Sequence, residues 1–143
     1  MYDRILFPTD GSEGTDAAFE HAIDHALRYD ATLHVLYVIE KTFPVVEAGP
    51  ADVLKALEKE GERVLEEART RAKAEGIDSI RGTVAGGSPY RQILDYIDEN
   101  DIDMIVMGTH GRRGIDRYLM GSVTEKVVRT ADCPVLTVRA TKE

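Results

Sequence analysis

The sequence has little cysteine, no long apolar run and no excess of positive charge. One cysteine, Cys133, stands among 143 residues, so no internal disulfide can form and a reducing, cytoplasmic setting is expected. No apolar stretch approaches the ~18–20 residues that span a bilayer, so no membrane helix is expected. Met1-Tyr2-Asp3-Arg4 brings an acid at once and no apolar run, so no signal peptide is expected. Lys and Arg number 18 against 26 Asp and Glu, a net charge of −8. Nucleic acid and anionic membrane are therefore not expected partners, because each selects a positive face. Internal repeats, low-complexity tracts and linkers are also missing. Hydrophobic residues make up 43% and charged residues 31%, an ordinary globular balance. One domain over 1–143 is expected, large enough to hold a core without a disulfide or metal.

What the chain does have is alternation. Ile5-Leu6-Phe7 is a short apolar run that Pro8 is expected to stop. Ala17 to Arg28 has helical period, with Phe19, Ala22, Ile23, Ala26 and Leu27 on one face. Leu33 to Ile39 is a second strand. A connection from Thr42 to Pro50 leads to a long helix striped by Leu54, Leu57, Gly61, Val64, Ala68 and Ala72, which Gly76 ends. Ser79 to Val84 is a weaker strand, Gly86-Gly87 a turn, Ser88 an N-cap and Pro89 a first helical residue. Met104-Ile105-Val106-Met107 has the continuous apolarity of a central parallel strand. Ser122 to Thr130 is a short helix, and Val135 to Val138 a last strand. Five strands alternating with four helices predict an open parallel α/β sheet, Rossmann-like, with helices on both faces. Order 3-2-1-4-5 sets the loops after strands one and four side by side, where ligands of such sheets bind.

The informative stretch runs from Gly108 to Thr124. It leaves the carboxyl end of the most apolar strand. Its glycines, Gly108, Gly111, Gly114 and Gly121, let backbone N–H groups approach a ligand closely. It ends at Gly121-Ser122, where a helix begins and favours an anion. Thr109 to Arg117 holds three arginines and one aspartate, a local positive charge in an acidic chain. A phosphate fits there. So does a plainer reading, in which the glycines make turns and Ser122-Val123-Thr124-Glu125 is a capping box. Neither a Walker loop nor a dinucleotide fingerprint is present.

With Gly108, Gly111, Gly121 and Ser122 in the pattern Gly-x2-Gly-x9-Gly-Ser, the chain resembles the universal stress protein family in its ATP-binding branch. The opening Ile5 to Ser12, the Gly87-Ser88-Pro89 helix start and the closing Cys133-Pro134-Val135-Leu136-Thr137-Val138 extend the resemblance along the whole chain. It implies that Pro8, Thr9, Asp10 and Val38 border adenine and ribose, and that Met107 and Gly108 form the floor. It implies that Gly108, Gly111, Gly121, Ser122, Val123 and Thr124 hold ribose and phosphates. Thr109, His110, Arg112, Arg113 and Gly114 complete the expected loop; the two arginines are assigned to phosphate from their charge. The resemblance implies ATP, with Mg²⁺ held mainly by the phosphates, and a homodimer through Val135–Val138. An unprotected apolar edge strand agrees with that pairing. The function implied is a nucleotide-dependent stress-response sensor or adaptor, its downstream protein unnamed by the sequence.

An alternative keeps the pocket and adds turnover. A slow ATP hydrolase or phosphotransferase would use Asp10 and His110, although no nucleophile–base pair is evident. Asp10 has a plainer reading too, as an Asx-type cap of the next helix. His21 and His25 read as helix surface, and Cys133 as an inert buried thiol.

Overall fold

The computed structural model describes residues 1–40, 50–109 and 121–139. In them the apolar runs become strands: β1 (Arg4–Thr9), β2 (Thr32–Glu40), β3 (Ile80–Gly87), β4 (Met104–Gly108) and β5 (Val135–Val138). The stretches of helical period become α1 (Asp16–Tyr29), α2 (Pro50–Ala74), α3 (Pro89–Asn100) and α4 (Ser122–Thr130), with a single 3-10 turn at Glu13–Thr15. All strand pairs are parallel, and the order is β3-β2-β1-β4-β5, as expected. The expected connection from Thr42 to Pro50 lies, up to residue 49, outside the described residues.

Strand alternation feeds two cores. Ile5, Phe7, Leu33, Val35, Tyr37, Met104 and Val106 pack under α1 and α2. Leu6, Leu36, Ile105 and Met107 pack under α3 and α4 with Ile93, Ile97 and Val127. Gly76 takes φ +108° beyond α2, and the Ile77 N–H then returns to the Ala72 carbonyl at 3.1 Å. This is the expected glycine stop. Asp30 and Asp101 end α1 and α3 in the same left-handed region, at φ 54° and 52°.

Three expectations need correction. Pro8 does not end β1; it is paired with Leu36 of β2 and buried. Gly86 and Gly87 do not turn; they continue β3 opposite Ile39 and Glu40, and only Gly87 bends the chain, at φ +138°. Leu27 is 42% exposed, because α1 buries the narrower stripe Ala18, Phe19, Ala22, Ile23 and Ala26. Each residue advances about 100° around a helix, which puts Leu27 on the flank. Leu65 joins the α2 stripe in the core.

His34 is the buried polar side chain of β2, 4% exposed, on the face beneath α3. Its Nδ1 shares a 2.7 Å hydrogen bond with the Tyr96 hydroxyl. Burial first, then Arg81 and Arg4, push its pKa down to about 4. Cys133 is half-buried against the second core, and burial raises its thiol pKa. Such a thiol carries little thiolate.

Candidate functional site

Between β1 and β4 the ladder stops short of the carboxyl ends, and Pro8 lies in the part of β1 unpaired on that side. Along β1 the carbonyls alternate sides: Asp3 accepts from Thr32 on the β2 side, and Arg4 accepts from Asp103 on the β4 side, each at 2.9 Å. Continuing that alternation puts the Pro8 nitrogen on the β4 side. Pairing of β1 with β4 runs only through Ile5↔Met104 and Leu6↔Ile105. The missing N–H therefore costs no ladder bond, since that pairing ends at Leu6, before Pro8 is reached. Pro8, Val38 and Met107 share the α3–α4 face by strand alternation: Pro8 and Met107 are buried, and Val38 is half-buried against the second core.

The loop leaving β1 is set by its own side chains. The Thr15 hydroxyl donates to the Ser12 carbonyl at 2.9 Å. Its single proton being so placed, the Thr9 hydroxyl donates in the 2.9 Å Thr9–Thr15 contact. Thr9 Oγ1 also accepts the Gly11 N–H at 2.9 Å. Asp10 Oδ1 accepts the Ser12 N–H at 2.9 Å, an Asx turn ahead of the helix and not a cap of it, since the N-caps are Ser12 and Thr15. Gly11 sits at φ +80°, which favours glycine.

The loop leaving β4 is tied at its base. Thr109, 8% exposed, donates its N–H to Val138 of β5 at 3.0 Å. Its carbonyl accepts the Gly121 N–H at 2.8 Å. One hydrogen bond thus joins the two ends of the glycine-punctuated stretch. His110, Gly111, Arg112, Arg113 and Gly114 lie between them, outside the described residues. Thr124 adds a second tie: its buried hydroxyl donates to the Gly108 carbonyl at 2.9 Å. The first turn of α4 is so fixed to the last residue of β4.

The capping box of the plainer reading does not form, and α4 has no side-chain cap hydrogen bond. Gly121, not Ser122, is the N-cap, and its carbonyl accepts the first helical bond, from Glu125 at 2.9 Å. The Thr109 bond holds Gly121 extended, so Ser122 becomes the first helical residue. The N–H groups of Ser122, Val123 and Thr124 precede the first i→i+4 bond and have no partner within the helix. Gly121 has φ −59°, a torsion open to any residue. Space is tight there: a β-carbon would stand 3.3 Å from the Thr109 carbonyl oxygen, a contact relieved only by a shift of a few tenths of an ångström.

The structure thus brings Pro8, Val38 and Met107 to one face, and Gly108, Thr109, Gly121, Ser122, Val123 and Thr124 to one corner beside the β1 loop. The hydroxyl ties of Thr9 to Thr15 and of Thr124 to Gly108 are invisible in sequence spacing; their one signal is a hydroxyl residue just past a strand or just inside a helix. His21 and His25 stand apart on α1, where His25 Nδ1 donates to the His21 carbonyl at 2.9 Å and its ring stacks on Tyr29. Among the described residues, no group of three His, Cys, Asp or Glu is placed to hold a metal ion. No helix among them is long and apolar enough to cross a membrane.

Comparison with known proteins completes the picture. Residues 1–139 match the model of the universal stress protein family. A universal stress protein of Methanocaldococcus jannaschii is 35% identical over 148 residues, covering 100% of this chain and 85% of the relative. The solved structure of the universal stress protein UspA from Lactobacillus plantarum is 30% identical with a TM-score of 0.85, covering 96% of this chain and 98% of its own. A solved universal stress protein in complex with cAMP is 29% identical with a TM-score of 0.77, covering 98% of this chain and 99% of its own.

Proposed function

The chain belongs to the universal stress protein family, and from that membership we propose that it binds ATP with Mg²⁺ as a nucleotide-dependent sensor or adaptor. It works as one domain over 1–143, in the cytoplasm. The observation that carries the reading is the closed base of the β4–α4 loop, the 2.8 Å bond from the Gly121 N–H to the Thr109 carbonyl. It aims the unpaired first-turn N–H groups of α4 at the corner that the β1 loop also faces. The donor set fits a polyphosphate: backbone N–H groups at a helix start, approached without a β-carbon at Gly121. The relative solved with cAMP supports an adenine nucleotide as the ligand class.

In this reading Ser122, Val123 and Thr124 donate their N–H groups to phosphate oxygens, and the Thr124 hydroxyl fixes the helix that carries them. Gly108, Thr109, His110, Gly111 and Gly114 belong to the stretch that meets ribose and phosphates, with Arg112 and Arg113 adding charge. Pro8, Thr9, Asp10, Val38 and Met107 border the nucleoside. Mg²⁺ supplies charge neutralisation among the phosphates when bound. The protein forms a homodimer through the outer edge of β5.

The test is direct. Protein purified without added nucleotide is denatured, and the supernatant is analysed by chromatography with mass detection. The stripped protein is then titrated with Mg²⁺–ATP and with cAMP. Bound or readily bound ATP is the expected result. An empty protein that takes up neither ligand overturns the reading, and cAMP alone replaces the ligand.

A further inference from the structure

The β1 loop rests on a part of the molecule that the nucleotide reading does not use. Tyr37 of β2 is 3% exposed and pairs with Thr9 on one side and Val84 on the other. Its ring faces α2, and two glycines close on it from different directions. A β-carbon at Gly61 of α2 would lie 2.8 Å from Tyr37 Cδ1, 3.2 Å from Cε1 and 3.1 Å from Val84 Cγ2. A β-carbon at Gly11 of the β1 loop would lie 3.7 Å from Tyr37 Cε2 and 2.8 Å from Val64 Cγ2. Val64 belongs to α2, one turn beyond Gly61 and on the same face. A single ring and a single valine thus stand between the helix and the loop that carries Asp10. Gly61 lies within a helix, where glycine is otherwise disfavoured. Close approach, not torsion, is what it provides.

We propose that Gly61, Tyr37 and Val64 position the β1 loop for the nucleotide, so that α2 sets nucleotide affinity and feels its occupancy. The inference rests on the nucleotide reading and extends it to a helix remote from the phosphate corner. In a close-packed interior a crowded contact is relieved by moving the neighbour. At Gly61 the neighbour is the Tyr37 ring, and the ring's other edge lies towards Gly11, 3.7 Å from where a β-carbon there would stand. Filling the Gly61 space therefore displaces the loop. Ordering the loop around a ligand restrains the same ring, and through it the middle of α2.

The experiment compares Gly61→Ala with Gly82→Ala. Gly82 lies in β3 under the other half of α2, where a β-carbon would meet Leu65 Cδ1 and Arg69 Nη2, each at 3.3 Å, and no loop residue is among its nearest contacts. Both variants crowd the seam between α2 and the sheet. Folding is followed by circular dichroism and thermal melts. Affinity for Mg²⁺–ATP is measured by titration. Hydrogen exchange of α2 amides is read with and without ATP. The expected result is a dissociation constant raised about tenfold in Gly61→Ala and unchanged in Gly82→Ala. ATP should slow exchange around Gly61 and Val64 in the wild type and lose that effect in Gly61→Ala. Equal weakening in both variants assigns the effect to general destabilisation and overturns the proposal. Unchanged affinity in Gly61→Ala, or α2 exchange indifferent to ATP, overturns it too. If Gly61→Ala fails to fold, Val64→Ala decides: it removes the side chain that stands where a Gly11 β-carbon would be, and affinity equal to wild type refutes the coupling. A wild type that binds no ATP removes the nucleotide reading itself and this inference with it, an outcome distinct from binding that ignores α2.

Discussion

At Gly121 the absence of a β-carbon leaves room beside the Thr109 carbonyl. The Gly121 torsion accepts any residue, so substitution is a matter of space alone. Gly121→Val should abolish ATP binding while leaving a cooperative fold, checked by titration and a thermal melt. Gly121→Ala should weaken binding less, because one methyl can shift a few tenths of an ångström from the Thr109 oxygen. Ser122 now carries a different expectation. As the first helical residue it offers no cap, so Ser122→Ala should leave stability within about 0.5 kcal/mol of wild type. His34 answers to pH. Its unfolded pKa of 6.5 falls to about 4 in the folded chain. Between those values the unfolded chain binds more protons. The stability contribution is therefore complete above 6.5 and is lost as pH falls towards 4. The loss amounts to roughly 2–3 kcal/mol. Urea unfolding at pH 7 and pH 4.5 should show a smaller acid loss in His34→Leu paired with Tyr96→Phe than in wild type.

At the scale of elements, α4 is held by one side chain at its start. Thr124→Val keeps the shape and removes the hydroxyl from the Gly108 carbonyl. The buried acceptor loses its donor, at a cost of about 1–2 kcal/mol. Denaturant unfolding checks the stability, and titration should show weaker ATP binding as the first turn loosens. The same elements show what a sequence reader can and cannot see. Period, cap glycine and proline at a helix start are local, so all five strands and four helices were legible, and so were the two loops that flank the crevice. Pro8 and the Gly86–Gly87 pair were misread because their usual meaning is overruled by neighbours. A proline is harmless on the side where no strand pairs. Two glycines extend when Ile39 and Glu40 lie opposite. The N-cap moved from Ser122 to Gly121 because Thr109, twelve residues earlier, holds Gly121 extended. The loop's closed base and the threonine ties join residues far apart in the chain, and no spacing rule encodes them.

At the scale of the molecule, β5 lies at the sheet's edge, and its hydrogen-bonding sides can be assigned. Pro134 and Val138 offer their carbonyls to Ile105 and Thr109 of β4, each at 3.0 Å. Alternation leaves Val135 and Thr137 with their backbone groups facing outward. Thr137→Pro therefore removes an outward N–H and spares the inner ladder. If two copies pair along this edge, sedimentation should show the variant as a monomer with an unchanged melt. A dimer that survives sinks the pairing.

The strand order also has a consequence for how the chain comes into being. β1 is made first and ends in the middle, between β2 and β4. The Asp103 carboxylate accepts the N–H groups of Asp3 and Arg4 at 2.7 and 2.9 Å, across about a hundred residues. On the ribosome the first strand can gain its β2 neighbour early, yet its other flank stays bare until Met104 and Ile105 have been synthesised. Contacts so distant in sequence slow folding. A nascent chain cut short before β4 thus leaves the edge of β1, with its buried Ile5, Leu6 and Phe7, unpaired, and that is the length at which a chaperone would find it.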